Sequence, residues 1–416
     1  MGNYLKVALK VLTRRKFFTF ISLFGISLTL VVLVVATAIL DDAFAAKDEE
    51  SRFNRALMMY GVVQYGPQST MSMNPGWKFL DQYVLHLPGI ESATAFTEPL
   101  ERTIYRNGAR IDTLLRRTDA NYWKVLDFKF LEGRPFTADE EGRGAFVAVI
   151  GDDLRRQLFE KAPAVGKTME IDGQNFTIVG VVPAVSQTRR AAYSGIWTPI
   201  TTAKSSAYRD EMLGNFVGVV LLRDAGDRAR VKRRFADVVP RIPLTDPKEF
   251  TRWDAGLDTV FEAYARSIVG GPLTRRYRDS AAAFLRTILT VLALLFMTLP
   301  ALNLVTLNLS RILERASEIG VRKAFGAPRR SLVSQFVLEN VILSLIGGVI
   351  AFALAALALS VINSSGLIPH VQLTANLRVF GYGMLVAAFF GVFSGAWPAW
   401  RMSRLDPVNA LRGGAA

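Results

Sequence analysis

Cysteine is absent from these 416 residues, and histidine occurs only twice, at His86 and His370. Without thiols there is no disulfide framework, no thiolate nucleophile and no cysteine-based zinc site. Two histidines in distant segments, with no HExxH, leave no histidine-based zinc site either. No period of 20 to 50 residues recurs, which argues against a solenoid. The P-loop is also missing. VGKT at 165–168 supplies its last residues, but Lys161 stands where the first glycine belongs, and MEIDGQNFTIV continues as a strand-turn-strand pattern around Asp172-Gly173. No GxSxG is accompanied by a suitable histidine. The acidic triplet Asp139-Glu140-Glu141 reads as a solvated loop. These absences remove the common hydrolase, metalloenzyme and ATPase readings and leave a non-catalytic chain.

Charge is missing from one place above all. Phe17 to Leu40 contains no ionisable residue, and Thr287–Leu309, Leu338–Ile362 and Val379–Ala399 are nearly as apolar. Each reaches the roughly 20 residues that cross a ~30 Å hydrocarbon core, so four transmembrane helices are expected. The first run exceeds a signal-peptide h-region and is followed by Asp41-Asp42 rather than a small-residue cleavage site, so it is read as a retained span. The spans carry no ionisable lining; Arg286 and Glu339 lie near helix ends, Glu339 as a partner for cytoplasmic arginine. Pro300 should kink the second span, and Asn303 and Asn308 follow it. A self-contained channel or ion-coupled transporter is therefore not expected.

The net charge of +14 is unevenly placed. Residues 41–280 hold 34 Lys and Arg against 32 Asp and Glu, and are almost neutral. The surplus flanks the apolar runs: Lys6, Lys10, Arg14, Arg15 and Lys16, then six basic residues from Arg311 to Arg330, then Arg401, Arg404 and Arg412. This distribution follows the positive-inside rule and excludes nucleic acid as the reason for the charge. Both termini and residues 311–330 are placed in the cytoplasm, and residues 41–280 and 363–376 outside.

The resulting layout is an amphipathic interface helix at 1–16, spans at 17–40, 284–309, 332–362 and 377–400, and a tail at 401–416. The fold class is thus a membrane protein with four transmembrane α-helices in a 1+3 arrangement and a large extracytoplasmic domain. FVAVIG (146–151) and NFTIVGVV (175–182) read as strands, and DDLRRQLF between them as a helix capped by Asp152 or Asp153. The alternation implies an α+β domain. DDAFAAKDEESRFNRALMMYG after the first span, with Asp48 and Arg52 at i,i+4, and LDTVFEAYARSIV before the second read as helical stalks, the latter ended by Gly270-Gly271-Pro272.

Two sets of residues are candidate sites. Gly347, Ala351 and Ala355 in the third span, and Gly383, Ala387, Gly391 and Gly395 in the fourth, recur every four residues and form close-packing faces, within the chain or between copies. Between the second and third spans, ASEIGVRKAFGAPRR (316–330), preceded by Glu314-Arg315, has Glu314 and Glu318 early, Arg322 and Lys323 late, apolar Ile319 and Val321, and Gly326 as a stop. That pattern describes a short docking helix on the cytoplasmic side.

The same stretch carries a resemblance. Arg315, then Glu318, Ile319, Gly320, Val321, Arg322, Lys323, Ala324, Phe325, Gly326 and Ala327, with Gln335-Phe336, Glu339, Leu343-Ser344 and Gly347-Gly348, resemble the signature of FtsX-like permeases of MacB-type ABC transporters. PAWRMSRLDPVNALR resembles that family's C-terminal motif and NYLKVALKVLTRRKFFTFISLFGI its N-terminal one. LEGRPFTADE, VAVIGDDLRRQLF and VGKTMEIDGQNFTIVGVV are similar to its extracytoplasmic domain; residues 183–280 match loosely. The resemblance implies a permease in the bacterial inner membrane that works as a dimer, with a second copy or a paralogue. It also implies a pair of cytoplasmic ATPases that bind ATP and Mg, and makes Glu318 to Ala327 the coupling helix that docks into them. No cofactor is expected in this chain, and because it starts at the interface helix the ATPase is expected to be a separate polypeptide. Membrane lipid, a periplasmic adaptor and an outer-membrane channel complete the expected partners. The implied action is mechanotransmission for export of a peptide, toxin, lipid or lipoprotein. The alternative is a regulator that controls a cell-wall hydrolase.

Overall fold

The computed structural model describes residues 16–106, 108–269, 281–296, 298, 328–378, 380–385, 388–389, 392–393 and 396. The interface helix at 1–15, Gly270-Gly271-Pro272, Pro300, Asn303 and Asn308, Arg315 and the coupling helix from Glu318 to Ala327, Ala387, Gly391, Gly395 and the C-terminal tail lie outside the described residues. The chain divides into two compact units: residues 1–42, 287–367 and 372–416, and residues 43–286 with 368–371.

In the first unit, α1 (Lys16–Phe44) and α9 (Arg329–Ser365) are long apolar helices. Among the described residues these two alone have the length and hydropathy of a membrane span, and a shorter apolar helix, α8, covers Ala281–Phe296. Both long helices overrun the expected spans. Backbone hydrogen bonds saturate inside a helix, so leaving the apolar stretch need not end it. α9 stops at Gly366, whose φ of 68° is the left-handed cap that glycine adopts without strain.

Gly347 of α9, and Gly383 beyond it, pack against α1 within the unit. A Cβ on Gly347 would lie 2.9 Å from Cγ2 of Ile26, and one on Gly383 would lie 3.2 Å from Leu30 and 3.3 Å from Leu33. Ala351 and Ala355 are fully buried. The Ser27 hydroxyl donates to the Gly347 carbonyl at 2.9 Å, a polar clasp that close approach permits. Glu339 is buried and accepts from the Gln335 amide at 3.2 Å.

The second unit is α+β. Its large sheet runs β1 (Ala56–Met59), β13 (Phe216–Leu222), β4 (Ile90–Thr97), β6 (Ala109–Thr118), β11 (Ile196–Pro199), β8 (Val147–Gly151), β10 (Gln174–Val182) and β7 (Glu132–Gly133), with β5 (Leu100–Arg106) beside β6 and β9 (Thr168–Ile171) beside β10. β8–β10 and β6–β11 are parallel; the other pairs are antiparallel. A smaller sheet joins β12 (Leu213–Gly214), β3 (Thr70–Pro75), β2 (Val62–Tyr65) and β14 (Arg252–Asp254). The helices are α2 (Trp77–Tyr83), α3 (Tyr122–Val125), α4 (Ala138–Gly142), α5 (Asp152–Phe159), α6 (Arg228–Val238) and α7 (Val260–Val269). β8 and β13 are buried at every position, as central strands covered on both faces must be.

The expected β8, α5 and β10 are present, as is the β9–β10 hairpin. Its Asp172 (φ 52°) and Gly173 (φ 77°) both occupy the left-handed region that such a two-residue turn requires. Four expectations are corrected. The first stalk ends at Phe44: 48–50 and 53–55 are single 3₁₀ turns and 56–59 is strand β1, because Phe53, Ala56 and Met58 are drawn into the sheet core. Asp48 and Arg52 consequently do not pair; Asp48 lies 3.6 Å from Arg189 and Arg52 lies 3.8 Å from Asp127. α5 is preceded by Gly151 as N-cap, with Asp152 and Asp153 inside its first turn. The triplet Asp139-Glu140-Glu141 sits in helix α4, started by a Thr137–Glu140 capping box that its composition disguised. The helix expected before the second span is present as α7, over residues 260–269.

Candidate functional site

Of the small residues expected to pack helices, the structure brings Gly347, Ala351 and Gly383 against Ile26, Leu30 and Leu33 of α1. The most connected polar site lies elsewhere, in the α+β unit, on the irregular connection of residues 183–195 between β10 and β11.

That connection is held at its base. Leu114 of β6 accepts from the Ser194 hydroxyl at 2.9 Å and from the Gly195 N–H at 3.1 Å. Arg116, fully buried, donates through Nη2 to the carbonyls of Arg190 and Tyr193 at 3.0 and 3.1 Å and stacks its guanidinium 4.6 Å from the Phe96 ring centre. The hydroxyl of Tyr122 donates to the Ala191 carbonyl at 2.9 Å and receives the indole N–H of Trp197 at 3.2 Å.

Its other side holds segments that run toward the first unit's helices in sequence. Glu50, 4% exposed, accepts from the N–H groups of Ala191 and Ala192 at 3.1 and 3.3 Å. Arg189, 2% exposed, donates to the Ala45 carbonyl at 2.7 Å. Tyr264 of α7 donates its hydroxyl to the Thr188 carbonyl at 3.3 Å. Phe44, the last residue of α1, meets the rings of Phe261 and Tyr264 edge-on at 5.3 and 5.1 Å. Pro369 accepts from the Gln187 N–H at 3.3 Å, and His370 lies 3.3 Å from Asp153. α7 also packs Ala265 against Ala281 and Ala282 at the start of α8.

Burial raises the Glu50 carboxyl to about 7, against the opposing Arg189 charge and two amide donors. Burial likewise raises Asp119 to about 7, although Thr94, Ala95 and Tyr122 donate to it. Between the ordinary carboxylate range and pH 7 the folded state then binds more protons than the unfolded chain. These two groups therefore stabilise fully at low pH, and their contribution falls as pH rises through about 5 to 7. Tryptophan-fluorescence melts of the full chain in detergent are expected to show this decline, and Asp119→Asn to flatten it; a slope unchanged in the variant would exclude Asp119 as its source.

An open cleft of about 560 Å³ borders the connection, lined by Gln187, Arg190, Tyr193, Glu98, Glu101 and Asp112. Among the described residues no three His, Asp or Glu side chains are grouped as metal ligands. Sequence reasoning missed Glu50, Arg189, Tyr264 and His370, since residues 183–195 have no periodicity and Glu50 stands in a charged run that reads as solvated.

The MacB-like periplasmic core domain family matches residues 19–238, and the FtsX-like permease C-terminal family matches residues 290–407. The macrolide export ATP-binding/permease protein MacB of Burkholderia cenocepacia (strain HI2424) is 28% identical over 331 residues, which cover 78% of this chain and 44% of that protein. The chain thus spans less than half the length of that relative. The uncharacterized ABC transporter permease YknZ of Bacillus subtilis (strain 168) is 24% identical over 330 residues, covering 78% of this chain and 76% of that protein. The solved periplasmic region of MacB from Actinobacillus actinomycetemcomitans aligns with 54% of this chain and 97% of that one at 13% identity, with a TM-score of 0.38. The first family match alone takes in more than half of the sequence and the second follows it in order, so the chain belongs to the MacB-type, FtsX-like permeases of ABC transporters.

Proposed function

We propose that this permease carries mechanical work from ATP hydrolysis, performed by a protein segment outside this sequence, to an external domain built from residues 43–286. The observation that supports this most directly is α1, one unbroken helix whose residues up to Asp42 belong to the membrane unit and whose Ala43 and Phe44 belong to the α+β unit. A continuous helix transmits displacement along its axis, whereas a flexible linker would absorb it. The four spans in a 1+3 arrangement, cytoplasmic termini and a dimer of two such chains belong to the same reading. So does the coupling role of Arg315 and of Glu318 to Ala327, with ATP and Mg bound by the ATPase. The work serves export of a substrate from the outer face of the inner membrane.

The test begins with the full chain purified from its native membranes together with the ATPase that stays bound. Glu318→Ala with Gly326→Val is expected to reduce ATPase co-purification at least tenfold, about 1.4 kcal/mol or more of docking energy, while membrane insertion is unchanged. Undiminished co-purification would overturn the coupling assignment. Activation of a cell-wall hydrolase by the complex, without extrusion of amphiphilic compounds, would replace export by regulation.

A further inference from the structure

We propose that residues 183–195 form the joint of the external domain at which three separate membrane-linked segments are fixed together, with Glu50 and Arg189 as its positioning residues. The inference rests on the mechanical reading above and adds the place where the motion enters the domain.

The three segments come from distant parts of the sequence. Residues 43–50, continuing α1, are held by Arg189 to Ala45 and by Glu50 to Ala191 and Ala192. α7, which leads toward α8, is held by Tyr264 to Thr188 and by its rings against Phe44. The turn after α9 is held by Gln187 to Pro369 and by Asp153 to His370, with Val371 buried. Residues 368–371 accordingly count within the α+β unit although the chain around them belongs to the other. Just beyond them, the Asn363 side chain donates to the Leu373 carbonyl at 3.0 Å and accepts the Leu373 N–H at 2.8 Å, which closes the turn.

A joint that transmits must not bend. The stretch PAVSQTRRAAYSG has one glycine, at its end, and Arg189, Ala191 and Ala192 are buried. The Ala191 peptide group is gripped from two sides, its N–H by Glu50 and its carbonyl by Tyr122. Tyr122 is bonded in turn to Trp197 of the central sheet, so displacement of residues 43–50 reaches the sheet through three successive hydrogen bonds. Charge-assisted bonds in a buried setting hold geometry more firmly than neutral exposed ones. Buried Arg189 and Glu50 act here as positioning residues, through their bonds to Ala45, Ala191 and Ala192.

The absence of cysteine makes the test direct. The full chain with its co-purified ATPase carries a spin label at Tyr105→Cys, a position 72% exposed, and the distance between the labels of the two copies is measured without nucleotide and with ATP plus vanadate. If the unsubstituted joint shows no nucleotide-dependent shift, the mechanical reading itself fails. If it does shift, Glu50→Ala with Arg189→Ala is expected to reduce the shift at least threefold, with ATPase activity within twofold of the parent. Glu50→Gln, whose amide oxygen can still accept both N–H groups, is expected to retain it. A full shift in the alanine double variant, at parental ATPase activity, overturns the proposal. Should that variant fail to fold, Gln187→Cys with Pro369→Cys decides. These residues are hydrogen-bonded neighbours, the Gln187 N–H donating to the Pro369 carbonyl at 3.3 Å. Cross-linking of equal extent with and without ATP turnover supports a fixed joint; suppression of threefold or more during turnover overturns it.

Discussion

Replacing Trp197 by alanine is expected to destabilise the external domain by about 3–5 kcal/mol, a large part of the ~5–15 kcal/mol by which a domain is ordinarily stable. Trp197 is fully buried in β11, in register with Arg116 of β6 and Val149 of β8, so the cavity would open in the middle of the large sheet. Its ring lies 5.6 Å from Phe128 and 6.2 Å from Trp123, edge-on to both, and neither can collapse into the space without leaving its other aromatic neighbours. The indole N–H to the Tyr122 oxygen is lost as well. Trp197→Phe keeps most of the volume and loses the hydrogen bond, for roughly 1 kcal/mol plus a smaller packing loss. Thermal melts followed by circular dichroism should separate them: about 3 °C per kcal/mol for a domain of this size puts alanine ~10 °C or more below the parent. Equal melting points for the two variants would show that the hydrogen bond, not the ring volume, dominates.

Gly133→Ala is expected to release strand β7 from the sheet edge. Gly133 has φ +66°, where a side chain is strained, and an added Cβ would lie 2.1 Å from the carbonyl oxygen of Val179 and 2.9 Å from Cγ2 of Val165. The obstacle is backbone in the middle of β10, which cannot step aside. Gly133 faces Gly180, and a Cβ there would lie 2.4 Å from the Arg134 carbonyl oxygen. Two facing glycines let β7 lie close on β10 and set up the Leu131 N–H to Val181 and Arg134 N–H to Val179 bonds, at 2.8 and 2.9 Å. The cost is several kcal/mol from strain plus lost bonds, of the order of other severe backbone defects. Limited proteolysis should cut within 128–136 in Gly133→Ala and leave the parent intact. Gly142→Ala, with open space around it and no left-handed φ, is the matched control and should behave as the parent.

The sequence was informative where one physical signal dominated. The run from Phe17 to Leu40 could only be an apolar helix, and β8, α5 and the β9–β10 hairpin were legible because β-branched runs, a short amphipathic stretch between them and an Asp-Gly turn agree over residues 147–182, although the expected aspartate cap of α5 proved to be Gly151. The expected stalk after Asp41 shows the opposite case. Its composition favours helix, but Phe53, Ala56 and Met58 gain more by joining the sheet core, and tertiary burial overrides propensity. Glu50 was hidden by its charged neighbours, because nothing local distinguishes a carboxylate that solvates from one that meets two amides 141 and 142 residues away. Residues 183–195 were opaque for the same reason: their order comes from partners, not from periodicity. The coupling signature at Arg315 and Glu318 to Ala327 is legible only as a pattern of charge and glycine, and its function rests on the docking test.

The inclusion of residues 368–371 in the α+β unit also sets a schedule. Translation completes residues 43–286 first, yet Pro369 and His370, which bond Gln187 and Asp153, exist only after α9 has been made. At ~5–20 residues per second the external domain waits several seconds for its last piece. Until then the contacts of Gln187 and Asp153 with Pro369 and His370 cannot form. A chain that stops short of Pro369 and His370 lacks the partners that Gln187 and Asp153 bond in the finished domain.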